Sequence, residues 1–569
     1  MKHIIKILFF ITFLAPFFDT GLFIYTSLSQ SLLWGVLSCL SLLLVCLYNS
    51  IGKKGLVYTN GIWVVILYSV YLIIHSFFIT AEYYRLFYYL SGFAFLLVVY
   101  YNRIGKIISL TTIKQLLITG LIIQMIVIYG QTLHLWESKS SYFSVTGCCE
   151  NPNVAAMYIA LVIPFIVNEI YNKRHISVFS GLLTFSLIAL YLLNCRTAWL
   201  ALVIPLFIFV IKPLFNLLNS KGLQKVLIAS CSISFLLFIG FLYHYKQDSA
   251  DGRTLIWELS IKEIIRTPQG NGYGRFASVY NDRQSEYFRN EPSTTTERQN
   301  ARYTAMAYND YLENGVDGGI IGLLLHILLI ATFVVFAYKQ RDKMTFSVFL
   351  MIAIMSCVNF VTIGILPWIV FLTVAGYTLS VQPQKTTTPI IHNISYLFCI
   401  LFALFLCYRQ SQFILGQYLL AKPKTKESKE LLSLSDFIGS SEAYHRTVAQ
   451  YYIREKNWGN AILHCNEALL YTSLPSVLNM KAHALLQENN VKEAEEVLQT
   501  LRYMIPTQLK CRLQLLQLYQ RHHATDKAHD IAHEILSIRP KTVSKETVRI
   551  QEAAQHYLNH IHNEYKHDK

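Results

Sequence analysis

Apolar runs that recur through the first 410 positions limit the fold more than any other feature. They lie near 4–27, 30–48, 62–80, 86–101, 115–134, 154–171, 177–193, 198–219 and 225–243, and again near 316–337, 345–358, 363–381 and 391–408. A hydrocarbon core about 30 Å thick needs about 20 helical residues to cross it. Within lipid every backbone N–H and C=O must be paired inside the segment, which continuous apolar runs achieve as α-helices. The chain is therefore expected to be an all-α polytopic membrane protein of about 12–13 transmembrane helices. The run between Met351 and Leu379 must be split by a tight turn near Asn359 or Pro367. Composition agrees, with 53% hydrophobic and 15% charged residues and a mean hydropathy of +0.38. These values exclude a purely soluble enzyme or a disordered chain.

The formal charge of +15 points first to membrane topology and not to nucleic acid, because multi-pass proteins keep Lys and Arg at their cytoplasmic edges. One alternate set of loops carries Lys53, Lys54, Arg103, Lys106, Lys114, Lys173, Arg174, Lys221, Lys225, Lys339, Arg341, Lys343 and Lys385. The other short loops carry little more than Arg85, Lys139 and Arg196. The positive-inside rule then puts the long polar segment, about 245–312, and everything after the last span outside the bacterial inner membrane, in the periplasm. The eleven cysteines show no CxxC pair and no metal-ligand spacing, so neither redox chemistry nor a metal is expected.

Residues 1–410 form the expected membrane domain, 411–435 a linker and 436–569 a soluble helical region. Within the last, Ala461, Ala494 and Ala528 are 33 and 34 residues apart, and Pro506 and Pro540 are 34 apart. The segments NWGNAILHCNEAL, NVKEAEEVLQTL and ATDKAHDIAHEIL are alike around these alanines. A period of about 34 residues is that of tetratricopeptide helix pairs, whose stacking makes a concave partner surface and supplies no chemistry.

Polar residues at span ends are costly and are the candidates for function. Asn151, Pro152 and Asn153 open an apolar helix. Arg196 stands between two apolar helices on the outer side, where its planar fork would suit a phosphate. Arg253 and Trp257 lie at i and i+4 and share a helix face. Gly270, Gly272 and Gly274 make an adaptable turn. Tyr308, Asn309, Asp310 and Glu313 precede another apolar helix, with Gly315, Gly318, Gly319 and Gly322 allowing close packing.

Together, over roughly 140–380, the Asn-Pro-Asn turn, the Arg-Thr-Ala helix start at Arg196, the Gly-Arg-x-x-x-Trp element, the glycine turn and the Asn309 element resemble the O-antigen ligase and polymerase superfamily, which includes protein O-oligosaccharyltransferases. The resemblance implies transfer of a glycan from undecaprenyl pyrophosphate to an acceptor hydroxyl, without metal, nucleotide sugar or other cofactor. Arg196 and Arg253 would bind the pyrophosphate as it departs, and Asn151, Asn153, Trp257, Tyr308 and Asn309 would line the substrate site. Ligases of this family commonly carry His directly before the Asn, where this chain has Tyr308. Asp310 or Glu313 would then act as base, Tyr308 would position the acceptor, or the arginine charge would suffice. The acceptor would be lipid A core or protein Ser/Thr, with polymerase activity the alternative and a polysaccharide or lipid transporter the reading from another class. The helical repeats would recruit a polypeptide or other large acceptor.

Overall fold

The computed structural model of the chain describes residues 1–23, 26–52, 57–245, 247–386, 389–540 and 543–567; Lys53, Lys54 and Lys246 lie outside the described residues. Among these, nine helices have the length and apolar character to cross a membrane: Ser27–Ile51, Tyr83–Ile104, Leu110–Thr132, Pro152–Tyr171, Ile176–Leu193, Arg196–Leu217, Lys221–His244, Asp310–Lys339 and Ile394–Ala421. Three shorter apolar helices, Ile62–Phe78, Lys343–Ser356 and Ile365–Val381, account for the remaining internal runs. The architecture is that of an all-α polytopic membrane protein.

The first apolar run departs from expectation. Its helix, Lys2–Leu14, ends in a short 3-10 turn at Ala15–Phe17. Pro16 brings no N–H, so the i→i−4 ladder is interrupted there, and the chain turns extended at Phe18. Thirteen residues rise only about 20 Å, too short to cross the hydrocarbon core. The long run beyond Met351 divides as expected: residues 357–364, which include Asn359, separate two helices, and Pro367 sits in the first turn of the second.

Helices Tyr83–Ile104, Pro152–Tyr171 and Ile365–Val381 are the most enclosed, and the last packs on both others. Trp368 at its start is buried beside Tyr89, with ring centroids 6.0 Å apart. The polar segment is mostly helical, with Gln247–Arg266, Phe276–Asn290 and Thr295–Asn300 gathered around Leu259, Phe276 and Tyr280.

The last of the membrane helices, Pro389–Ala421, continues through the first part of the segment expected as a linker. Three helix pairs follow: Glu442–Arg454 with Trp458–Leu469, Pro475–Gln487 with Val491–Met504, and Leu509–Arg521 with Thr525–Ser537. Ala461, Ala494 and Ala528 are fully buried in the second helix of each pair, which explains why a small residue recurs there. This region is seated directly on the polar segment. Arg275 Nε donates to Leu470 O at 2.7 Å, Ser278 Oγ to Leu469 O at 2.6 Å and Ser285 Oγ to Thr500 O at 3.0 Å.

Candidate active site

A cavity of about 640 Å³ opens between the membrane helices and the polar segment. Arg196, Arg253 and Arg302 line it, together with Asn153, Gln284 and Tyr308, and among the described residues no carboxylate lines it. Asn194, left-handed at φ 50°, ends Ile176–Leu193, and two residues later Arg196 begins the next helix. Asn tolerates that conformation better than most residues. Arg196 Nη1 donates to Leu242 O at 2.9 Å.

Arg253 Nη1 donates to Val358 O at 2.7 Å, and its guanidinium lies 4.9 Å from the centre of the Tyr308 ring. Burial pulls its pKa below the ordinary arginine value; Tyr308 opposes that shift and the positive charge of Arg196 adds to it. Two cations that repel one another in a partly desolvated cavity, with no acid among its described lining residues, make a site for an anion. Arg302 was not anticipated, because it sits in an irregular stretch after Asn300 with no periodic pattern to single it out.

Tyr308 has φ 51°, a conformation that costs a non-glycine residue about 1–2 kcal/mol and persists only where its surroundings hold it. Three contacts do so. Trp257, one turn after Arg253, donates from Nε1 to Ala307 O at 3.1 Å. Glu313 Oε2 accepts from Ala307 N at 3.0 Å. Asn309 Nδ2 donates to Cys357 O at 2.8 Å, while its Oδ1 caps the next helix by accepting from Leu312 N at 3.1 Å. The shared face of Arg253 and Trp257 thus grips two consecutive residues, Tyr308 and Ala307. Trp257 itself does not line the cavity.

The two acids expected as bases are also outside the cavity lining. Asp310 is 1% exposed, and its Oδ2 accepts from Ser356 Oγ at 2.8 Å, Val361 N at 3.0 Å and Thr362 N at 3.1 Å, tying down the 357–364 turn. Glu313 is 6% exposed and is engaged by Ala307 as above. Glu313 holds the backbone next to the cavity residue Tyr308, and Asp310 holds the turn whose Val358 O accepts from Arg253. Asn151 is the N-cap of Pro152–Tyr171, its Oδ1 accepting from Asn153 N at 2.9 Å, and it leaves Asn153 facing the cavity. His326 is wholly buried, with Nδ1 3.4 Å from Tyr68 Oη.

The glycine turn has a different partner from a phosphate. Gly319 has φ 66° and ψ −167°, so the long helix Asp310–Lys339 is broken there and not merely close-packed. Residues 268–272 fill the break: Gly272 N donates to Asp317 O at 2.8 Å and Ile320 N to Pro268 O at 2.9 Å. A Cβ on Gly270 would stand 2.4 Å from Gly319 N. Gly274 N is satisfied by Asp317 Oδ2 at 2.9 Å.

No disulfide joins the cysteines, and among the described residues no group of three or more His, Cys, Asp or Glu side chains is gathered to hold a metal. Residues 181–327 match the family model described as O-antigen ligase. This stretch includes Arg196, Arg253, Arg302 and the 307–313 turn, and it supports a place in the O-antigen ligase superfamily of ligases and polymerases. No curated protein matches the chain.

Proposed function

We propose that the protein is an O-antigen ligase-like glycosyltransferase that moves a glycan from undecaprenyl pyrophosphate to an acceptor hydroxyl on the periplasmic side of the bacterial inner membrane. The observation that carries this reading is the cavity with three arginines and, among the described residues, no acid in its lining. Arg196 and Arg253 contact the pyrophosphate, and Arg302 adds a third charge at the same cavity. As the sugar–phosphate bond breaks, negative charge grows on the leaving oxygen, and fixed guanidinium groups in a desolvated site stabilise it without reorganising. Asn153 supplies a polar contact for the glycan.

Tyr308 presents its ring to Arg253 and its hydroxyl to the acceptor. Asp310 and Glu313 act as positioning residues: one fixes the turn that provides Val358 O, and the other fixes the backbone before Tyr308. Departure of the pyrophosphate supplies the main driving force, and the proton of the acceptor hydroxyl leaves to solvent. The paired helices after residue 441 are read as a tetratricopeptide-like region facing the same compartment, where they recruit a lipid A core or protein acceptor.

The test is transfer by purified protein in detergent from an undecaprenyl-pyrophosphate oligosaccharide, offered lipid A core, a second lipid-linked unit or a Ser/Thr-rich protein. The expected product forms on lipid A core or protein and is lost in Arg196→Ala and Arg253→Ala. Product only on the second lipid-linked unit identifies a polymerase. No product from folded protein on any acceptor overturns the proposal.

A further inference from the structure

Helix Thr525–Ser537 carries a face that glycan transfer does not use. Asp526, His529, Asp530 and His533 fall at i, i+3, i+4 and i+7, which groups them on one side of the helix. The opposite side buries Ala528, Ile531, Ala532 and Ile535, so the four polar residues are turned to solvent and exposed. The two imidazoles meet there, with Nε2 3.3 Å from Nε2 and ring centroids 4.4 Å apart. A tetrahedral zinc ion, with Zn–N bonds of about 2.0–2.1 Å, holds two nitrogens about 3.3–3.4 Å apart. The pair thus already has the bite of a chelate.

The charges nearby favour a cation. Lys527 is the one Lys or Arg in this helix and is drawn away, its Nζ 2.8 Å from Glu495 Oε1 and 5.3 Å from the centre of the Tyr519 ring. Glu534 is taken by Arg502 and Arg512 at 2.6 and 2.9 Å. Asp526 and Asp530 share the helix face of the imidazoles by spacing alone; the two histidines are the side chains that meet there. The pair is exposed, its nitrogens already stand at chelate distance, and the Lys of this helix is engaged elsewhere.

We propose that His529 and His533 form a bidentate site for a divalent transition-metal cation of the zinc type, separate from the arginine cavity. Imidazole nitrogens suit such ions, and two protein ligands leave coordination positions open to water or to a side chain of a docking partner. The proposal does not depend on the glycosyltransferase reading.

The experiment is calorimetric titration of zinc chloride into the full chain in detergent, with any purification tag removed. Wild type is expected to bind zinc with a stoichiometry one higher than the His529→Ala/His533→Ala double variant. Each single variant weakens that site at least tenfold, and His556→Ala leaves it unchanged. Because both histidines are exposed, the variants should melt like wild type without zinc, which separates loss of the site from loss of the fold. Equal stoichiometry and affinity in wild type and the double variant, or no zinc binding by wild type, overturns the proposal.

Discussion

Arg253→Lys separates the charge of the cavity from the geometry of the guanidinium fork. Arg253 donates through Nη1 to Val358 O at 2.7 Å and rests on the Tyr308 ring at 4.9 Å, so its plane is fixed before any anion arrives. Lysine keeps the positive charge but presents a single flexible ammonium, with neither the fork nor the flat face. Loss of one charge-assisted hydrogen bond costs about 1.5–3 kcal/mol, which converts to about 10- to 100-fold in affinity. Calorimetric titration with inorganic pyrophosphate measures this without an acceptor. Wild type should bind, Arg253→Lys should bind about 10- to 100-fold more weakly, and Arg253→Ala more weakly still. The order depends on Val358 O and Tyr308 presenting the guanidinium in one orientation. Wild-type affinity in Arg253→Lys would refute that argument, since a point charge would then do the same work.

Three further outcomes follow from the same geometry. Gly319→Ala places a Cβ 2.3 Å from Pro268 O at a φ of 66°, and it should destabilise the protein by more than about 2 kcal/mol, read as lost folded yield in size-exclusion chromatography. Truncation before Asp436 removes the carbonyls of Leu469, Leu470 and Thr500 that hold Ser278, Arg275 and Ser285. Protease nicking within 276–290 should rise and transfer to every acceptor should fall, whereas intact transfer with altered acceptor choice would show a purely recruiting role. Burial pushes the Glu82 carboxyl up to about 7, with Arg85 opposing and Glu442 adding to the shift. The folded state therefore holds this proton more tightly than the unfolded one. Its contribution to stability is complete below about pH 4.5 and is lost as pH rises to about 7. Glu82→Gln should remove that part of the slope in unfolding curves collected from pH 4.5 to 8.

The membrane architecture was legible because apolar runs of span length have few alternatives in lipid. The first run failed because Pro16 ends its helix early, although apolar residues resume beyond Asp19, Thr20 and Gly21. The alanines 33 and 34 residues apart were legible because close helix contact leaves no room for a larger side chain. At the site, spacing placed Arg253 and Trp257 on one face, and the structure shows that face gripping Ala307 and Tyr308. Asp310 and Glu313 were misleading because a carboxylate at a helix start has the same sequence signature whether it faces a substrate or satisfies buried backbone N–H groups. The partnership between the 268–272 turn and the break at Gly319 joins segments some 50 residues apart, and no local pattern encodes it.

In the proposed reaction the arginine cavity holds a pyrophosphate that leaves during glycan transfer. The most direct test of that reaction is the fate of the lipid carrier when purified protein is given lipid-linked oligosaccharide and acceptor, followed by mass spectrometry. One undecaprenyl pyrophosphate should be released for each glycan transferred, with both products absent in Arg196→Ala and Arg253→Ala. Recovery of the intact lipid-linked glycan from an active preparation, or release of undecaprenyl monophosphate in its place, would contradict the proposed reaction.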